Sequence, residues 1–318
     1  MSAQRNILYD IAKGLGILLV IWGHTDKCSA FDLIYAFHMP FFFIVSGVFF
    51  RQQDRFGELC NANLKRLIYP YLLFSVLIYL FYLTWGFVFK NPCDYKIIFK
   101  IIPWKGVISS PLWFLITLFI VSTLFYFFSK IKNPYVLITL TLSLFFIARY
   151  WPVLNYFYLN EALQYFVYYA LGYLFLSKYE NKYLSRFSKI QKTGLFIISL
   201  VGFYGLFLIR NAIDFKIITI LFSFLIAVFG SWMLIHLAAC LEKIKYLNRI
   251  LAYIGRNSLT IFAIQLPMME VSRPLSDLFF ERYTQEWVGI HVLINLGLAI
   301  VAAEVFYRIF PKILHKNK

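Results

Sequence analysis

Four ionisable side chains lie within or at the end of two stretches, in the first fifty residues, that are otherwise apolar enough to cross a membrane: Asp10, Lys13, His24 and His38. A charged side chain in the hydrocarbon layer costs about 2.5–3.5 kcal/mol on insertion scales. Such residues therefore face a bundle interior or a water-filled cavity, and each is a candidate for a functional site. This pattern predicts a helical membrane protein with a polar interior.

Three of these side chains are predicted to share one face of the first helix. At about 100° per residue, the steps from Lys13 to His24 return to nearly the same direction, and Asp10 falls within about 60° of both. The resulting polar stripe is about 16 Å long from Lys13 to His24. It must line a cavity or the interior of a bundle, because lipid cannot solvate it.

Composition supports a membrane protein and argues against nucleic acid as a partner. Of the 318 residues 61% are hydrophobic and only 14% are charged, whereas a soluble domain is roughly half apolar and a quarter charged. The net charge of +16 is typical of lysine and arginine retained in cytosolic loops. The four cysteines have no metal-like spacing, so neither a metal site nor a disulfide framework is predicted.

The predicted fold class is all-α, a polytopic membrane protein with about ten transmembrane helices in a single integral-membrane domain, residues 1–318. The predicted spans are 7–24, 31–50, 67–89, 111–129, 134–148, 159–177, 193–209, 217–239, 257–272 and 288–310. With both termini in the cytosol, the inner side receives about twice as many of the 31 lysines and arginines as the outer side. This bias predicts an N-in, C-in protein.

The polar residues of the first two spans each have a functional and a structural interpretation. Lys13 and Asp10 can pair across one helical turn, either as a structural ion pair or with Lys13 as the cation for a phosphorylated or carboxylated ligand. His24 suits a general base near the outer end of its span, or it is an interfacial histidine without a role. His38 either lines the cavity and positions His24 or is a buried, hydrogen-bonded histidine.

Further along the chain, Pro40 is expected to loosen the second span, and the small pair Ser46 and Gly47 suits close helix packing. Lys65 and Arg66 precede the third span, where they either keep that loop in the cytosol or bind the phosphates of a cytosolic donor. Trp113 begins the fourth span and could be an ordinary interface aromatic.

These elements together resemble the acyltransferase 3 family of integral-membrane O-acyltransferases, and most closely its branch of fucose 4-O-acetylases and related sugar acetyltransferases. The resemblance starts with Arg5 and Asp10, and Lys13 followed eleven residues later by His24 matches a basic residue, ten spacers and a histidine. The stretch from residues 37–40 to residues 46–47 matches the next part of the family's sequence pattern. Weaker matches are 65–66 with 70–71, 111–115, and 255–259 with Ile261.

The resemblance implies transfer of an acetyl group from cytosolic acetyl-CoA, the co-substrate, to a hydroxyl of a surface glycan or its lipid-linked precursor at the plasma membrane. His24 would be the general base with His38 and Asp10 as further catalytic residues, and Lys13, Lys65 and Arg66 would bind the donor. Trp113, Ser258 and Gln265 would bind substrate. Two positions depart from the family pattern: Gln265 stands where many relatives have histidine, and Lys65-Arg66 replaces two arginines three residues apart.

Two other classes of protein remain as alternatives. A transporter of a glycan or small solute could use the same stripe as a proton relay, although the sequence shows no repeated halves. A structural partner in a glycan-assembly complex would explain the hydrophobicity and leave the stripe unexplained. The lipid bilayer is a partner in every case, and the sequence leaves a homo-oligomer open.

Overall fold

The fold is described from a computed structural model, which covers residues 6–26, 28–89, 95–102, 106–151, 156–176 and 184–314. Every regular element in these ranges is a helix, so the predicted all-α class is confirmed. Arg5, Lys27, Lys90, Cys93 and Lys105, together with residues 177–183 and 315–318, belong to the sequence interpretation but lie outside the described residues.

The helices are named here in chain order. They are α1 (Ile7–His24), α2 (Phe31–Tyr35), α3 (His38–Val48), α4 (Phe56–Asn63), α5 (Tyr69–Val88), α6 (Trp113–Phe128), α7 (Pro134–Tyr150), α8 (Leu159–Leu171), α9 (Lys189–Asn211), α10 (Lys216–Leu241), α11 (Lys245–Arg256), α12 (Ser258–Ser276), α13 (Gln285–Ile309) and α14 (Pro311–Leu314). π-helical turns follow α4 at Leu64–Ile68 and α8 at Gly172–Leu176, and 3₁₀ turns lie at Tyr95–Ile101, Ser110–Leu112 and Leu184–Arg186.

Packing divides the chain into two compact units. The first comprises residues 1–50 and 167–259, and the second comprises 51–166 and 260–318. In the first unit, α1 packs against α10 and α11, and α9 packs along α10. Helix α3 packs on α10 and on the π-helical turn after α8.

Close backbone approaches hold α3 in the first unit. A Cβ added to Gly47 would overlap the carbonyl of Tyr169, and one added to Gly172 would overlap the carbonyl of Ile44. The small residue at position 47 therefore allows the close helix packing that the sequence predicted.

In the second unit, α4 and the following π-helical turn pack on α6. Helix α5 contacts the 3₁₀ turn at Tyr95–Ile101, where the Tyr71 hydroxyl donates to the Ile101 carbonyl at 2.9 Å. Asn63 donates from Nδ2 to the Thr123 hydroxyl at 3.1 Å, and this buried bond joins α4 to α6.

Six helical stretches of the described residues are long and apolar enough to cross a membrane: Ile7–His24, Phe31–Val48, Phe56–Val88, Lys189–Asn211, Lys216–Leu241 and Gln285–Ile309. Each contains or overlaps a predicted span. Trp113–Phe128 and Pro134–Tyr150 are shorter apolar helices at two further predicted positions. The protein is thus a multi-pass membrane protein, whereas the count of ten spans and the N-in orientation stay predictions.

Two local features differ from the expected helices. The second predicted span is broken at Ala36 and Phe37, and α3 begins at His38. Pro40 falls in the first turn of α3, where a missing N–H costs little, so the break lies upstream of the proline. The second feature is α11, an amphipathic helix in a segment where no helix was predicted.

Candidate active site

His24 is the last residue of α1, and its ring is fixed by the helix itself. Nδ1 lies 2.8 Å from the carbonyl oxygen of Val20. Because a carbonyl can only accept, Nδ1 carries the proton of that hydrogen bond, and in the neutral ring Nε2 keeps its lone pair. Within the described part of the chain Nε2 has no hydrogen-bond partner. This tautomer suits a base that takes a proton at Nε2.

A cavity of about 390 Å³ adjoins His24 in the first unit. Its lining comes from the end of α1, the connection that follows and both ends of the short helix α2, and includes Thr25, Asp26, Cys28, Phe31 and Tyr35. The volume lies in the range of small-molecule sites. His24 is therefore accessible to a reactant from this cavity.

His38 repeats the arrangement of His24 at a buried position. Its Nδ1 donates to the carbonyl of Ile34 at 2.9 Å. The Tyr35 ring has its centroid 4.8 Å from that of His38 and 5.8 Å from that of His24. Tyr35 is thus a neighbour of both imidazoles. His38 does not line the cavity at His24, so it is better placed to support Tyr35, which does, than to meet a reactant directly.

Asp10 and Lys13 form the ion pair that the sequence predicted. Lys13 Nζ lies 2.9 Å from Asp10 Oδ1, with 7% of the Asp10 side chain and 24% of the Lys13 side chain exposed. Lys13 Nζ also lies 5.7 Å from the centre of the Phe49 ring. Asp10 precedes His24 by about 21 Å along α1, so it acts on Lys13 and not on the imidazole.

A glycine crossing holds α1 against α11 beside this pair. A Cβ on Gly14 would overlap the Leu251 carbonyl, and one on Gly255 would overlap the Asp10 carbonyl. The buried side of α11 includes Leu251 and Ile254. The crossing therefore fixes the backbone that carries both members of the ion pair.

The basic pair of the second unit is exposed. Lys65 and Arg66 lie in the π-helical turn Leu64–Ile68, where the Tyr69 amide reaches back to the Leu64 carbonyl. Pro70 has no N–H for the Arg66 carbonyl, which favours a widened turn at this point. Both side chains are exposed next to the start of α5, where they can meet an anionic group.

Trp113 begins α6 within an aromatic cluster of the second unit. Its ring centroid lies 6.2 Å from that of Tyr158 and 5.6 Å from that of Tyr165. Phe157 and Tyr158 have positive φ angles of 51° and 59°, which are uncommon for aromatic residues. Burial raises the pKa of the Tyr158 phenol, and the Glu161 carboxylate acts in the same direction. Tyr158 therefore stays a neutral hydroxyl beside Trp113.

Gln265 is completely buried in α12, and neither Oε1 nor Nε2 of its amide has a hydrogen-bond partner within the described residues. Asn295 Nδ2 donates to the main-chain carbonyl of Gln265 at 3.0 Å, which ties α13 to α12. A buried amide of this kind normally pairs with a ligand or with water. Ser258, the first residue of α12, is half-buried and belongs to the first unit.

The predicted site residues are thus divided between the units. The first unit contains Asp10, Lys13, His24, His38 and Ser258, and the second contains Lys65, Arg66, Trp113 and Gln265. No group of three or more His, Cys, Asp or Glu side chains that could hold a metal ion occurs in the described ranges.

The model of a family described as an acyltransferase domain matches residues 6–307, nearly the whole chain. The chain belongs to the acyltransferase 3 family. No curated protein and no solved structure matches it significantly. Membership makes this protein a membrane O-acyltransferase that takes an acyl group from a donor to an acceptor hydroxyl.

Sequence reasoning missed three features of this acyltransferase: Tyr35 between the histidines, the helix α11 and the crossing at Gly255. Helix α11 could have been found, because Leu247, Leu251 and Ile254 repeat with helical spacing. Nothing in the sequence marks the contact of Gly255 with Asp10, which joins residues far apart in the chain.

Proposed function

We propose that this acyltransferase is an O-acetyltransferase of the fucose 4-O-acetylase-like branch. It moves an acetyl group from cytosolic acetyl-CoA to a sugar hydroxyl of a surface polysaccharide, or of its lipid-linked precursor, at the plasma membrane. Residues 1–318 act as one catalytic domain in this proposal. The main observation in support of this proposal is the hydrogen bond from His24 Nδ1 to the Val20 carbonyl. This bond leaves Nε2 available as a base beside a cavity.

The donor side of the proposal rests on the basic residues. Lys13, Lys65 and Arg66 would bind the phosphates of acetyl-CoA, because basic side chains form charge-assisted hydrogen bonds with phosphate oxygens. Asp10 holds Lys13 Nζ at 2.9 Å and so positions this cation. The rise of about 16 Å from Lys13 to His24 along α1 fits a donor whose nucleotide and thioester lie at opposite ends of a long arm.

The acceptor side rests on His24. Nε2 takes the proton of the acceptor hydroxyl as its oxygen bonds to the acyl carbon of the thioester. The carbon–sulfur bond then breaks, and the imidazolium returns the proton to the thiolate, which leaves as free CoA. Proton transfer by a positioned base of this kind contributes typically about 10²–10⁴-fold to a rate.

Trp113, Ser258 and Gln265 would bind substrate in this scheme. The ring of Trp113 offers an apolar face, Ser258 a hydroxyl, and Gln265 an amide whose two polar atoms are buried and lack partners among the described residues. His38 would hold Tyr35 and His24 in place.

The test is O-acetyl content of the surface polysaccharide in cells that lack the native gene and carry a plasmid copy. His24→Ala is expected to reduce the acetyl content about 10²–10⁴-fold at equal protein level, because the base is removed. His38→Ala, a histidine with the same Nδ1 bond, serves as the matched control and is expected to cost less. Acetylation close to normal with His24→Ala would contradict the assignment.

A further inference from the structure

A second cavity of about 600 Å³ lies in the first unit, between α2 and the last turns of α9. Six of its lining residues carry hydrogen-bonding side chains: Ser29, Asp32, Tyr35, Tyr204, Arg210 and Asn211. The volume suits a small ligand, and the lining is too polar for an acyl chain. The lining therefore suits a small polar ligand that can form several hydrogen bonds.

Arg210 supplies an unused donor in this cavity. Its Nε is buried and has no hydrogen-bond partner within the described part of the chain. A buried guanidinium N–H without an acceptor is costly, so this atom is expected to meet an oxygen of a ligand.

The charges of the lining balance. Asp32 and Arg210 are its two ionisable groups of opposite sign, and no ion pair between them is present in the described residues. A carboxylate accepts from sugar hydroxyls and a guanidinium donates to sugar oxygens. An anionic ligand would be repelled by Asp32, so the balance favours a neutral one.

Tyr35 connects this cavity with the base. It lines both the 600 Å³ cavity and the 390 Å³ cavity that adjoins His24. Tyr35 is 40% exposed and Tyr204 is 51% exposed, so aromatic rings are available at the cavity wall. Aromatic rings present large, rigid apolar surface at low entropy cost, which suits the face of a sugar ring.

We propose that the 600 Å³ cavity is the acceptor subsite and that it binds a neutral pyranose unit of the acceptor glycan. Arg210 Nε donates to an oxygen of the sugar, Asp32 accepts from its hydroxyls, and the ring lies against Tyr35 or Tyr204. This inference rests on the proposed function, because it assigns the acceptor of the same transfer reaction.

Binding can be measured apart from catalysis by saturation-transfer NMR on the full-length protein in lipid nanodiscs. The probes are the methyl glycosides of glucose, fucose and glucuronic acid at millimolar concentration. The native protein is expected to transfer saturation to the two neutral glycosides and not to the glucuronide. Arg210→Leu is expected to weaken this binding about tenfold or more, because a hydrogen bond to a charged group is lost.

Three variants make the outcome decisive. Arg249→Leu, an exposed arginine of α11, is the matched control and should bind like the native protein. Asp32→Asn changes an exposed side chain, so it should fold normally and still lose affinity. Arg210→Lys keeps the charge without the Nε donor and should also bind weakly.

Failure of this subsite and failure of the proposed function give different results. Neutral glycosides that bind equally to native protein and to Arg210→Lys or Asp32→Asn, or that do not bind at all, would overturn the subsite. Binding of the glucuronide as strong as that of the neutral probes would overturn it too. Sugar binding that persists in His24→Ala supports the subsite, whatever the acetylation assay shows.

Discussion

Gly255 of α11 touches the main chain of Asp10 so closely that any side chain at position 255 would overlap the Asp10 carbonyl oxygen. Asp10 is also the partner of Lys13, the cation proposed to bind the donor. The backbone of the amphipathic helix therefore helps to set the position of the ion pair.

Gly255→Ala is expected to destabilise the protein by about 1–3 kcal/mol, the usual cost of overpacking, because the added Cβ would overlap main-chain atoms of α1, which cannot move aside as a flexible side chain can. The matched control is Gly194→Ala in α9, where an added Cβ meets nothing within 4 Å. That change should be neutral or stabilising by up to about 1 kcal/mol, since alanine favours a helix over glycine. Thermal unfolding of the two purified variants in nanodiscs makes the comparison, and equal unfolding temperatures would refute the contact.

Lys13→Ala is expected to raise the KM for acetyl-CoA and to lower stability, because the largely buried Asp10 carboxylate loses the cation that lies 2.9 Å from it. The loss of stability should be below the about 3–5 kcal/mol of a fully buried pair, since Lys13 is 24% exposed. Lys13→Arg should retain more activity than Lys13→Ala. The measurements are acetyl transfer against donor concentration in membrane vesicles and thermal unfolding.

A double variant separates donor binding from structural support. Asp10→Asn with Lys13→Gln removes both charges, so stability should recover while the KM for the donor stays high. Recovery of both quantities would show that the ion pair only holds the bundle together.

Gln265→Met is expected to leave stability unchanged or higher, because it removes two buried polar atoms that lack partners among the described residues. Activity should fall roughly two- to tenfold, the value of one neutral hydrogen bond to substrate. Asn295→Leu is the control, since it removes a bond of 3.0 Å and should lower stability. Unfolding temperature and initial rate decide the case, and a Gln265→Met protein that is less stable and fully active would contradict it.

The native cysteines test the orientation in the membrane. If both termini are cytosolic, a membrane-impermeant maleimide should label a Cys28-only protein in intact cells and a Cys60-only protein only after permeabilisation. Burial raises the pKa of Cys28, and a hydrogen bond with the Ala30 backbone partly opposes this. Its labelling should therefore be slow at neutral pH and faster as the pH rises. Labelling of Cys60 alone in intact cells would reverse the topology.

The local part of this structure followed from the sequence. Hydrophobic run length and the positions of Asp10, Lys13 and His24 predicted a first span at 7–24, and α1 covers Ile7–His24. The spacing of Asp10 and Lys13 predicted a bond across one turn, and the two atoms are 2.9 Å apart. Such features depend on helical geometry within one segment, which the order of residues determines directly.

The residues that line the cavities could not be predicted from helical geometry within one segment. The cavity at Arg210 is formed by α2 and α9, which are far apart in the chain, and no periodic pattern links Asp32 to Arg210. The break before His38 also escaped prediction, because Pro40 suggested a kink at the proline. The proline instead takes a place in the first turn of a new helix, where its missing N–H is not needed.

The acceptors that fix His24 and His38 are the carbonyls of Val20 and Ile34, each four residues earlier on the same backbone. Enzymes that orient a catalytic histidine with an aspartate can lose that partner through one codon change. Here every amino acid at position 20 or 34 supplies the same carbonyl, so the tautomer of each histidine is protected from point mutation at these two positions. The side chains around the two imidazoles can therefore change while the protonation pattern of both rings stays the same, and with His24 as the proposed base this would allow the acceptor to change as well.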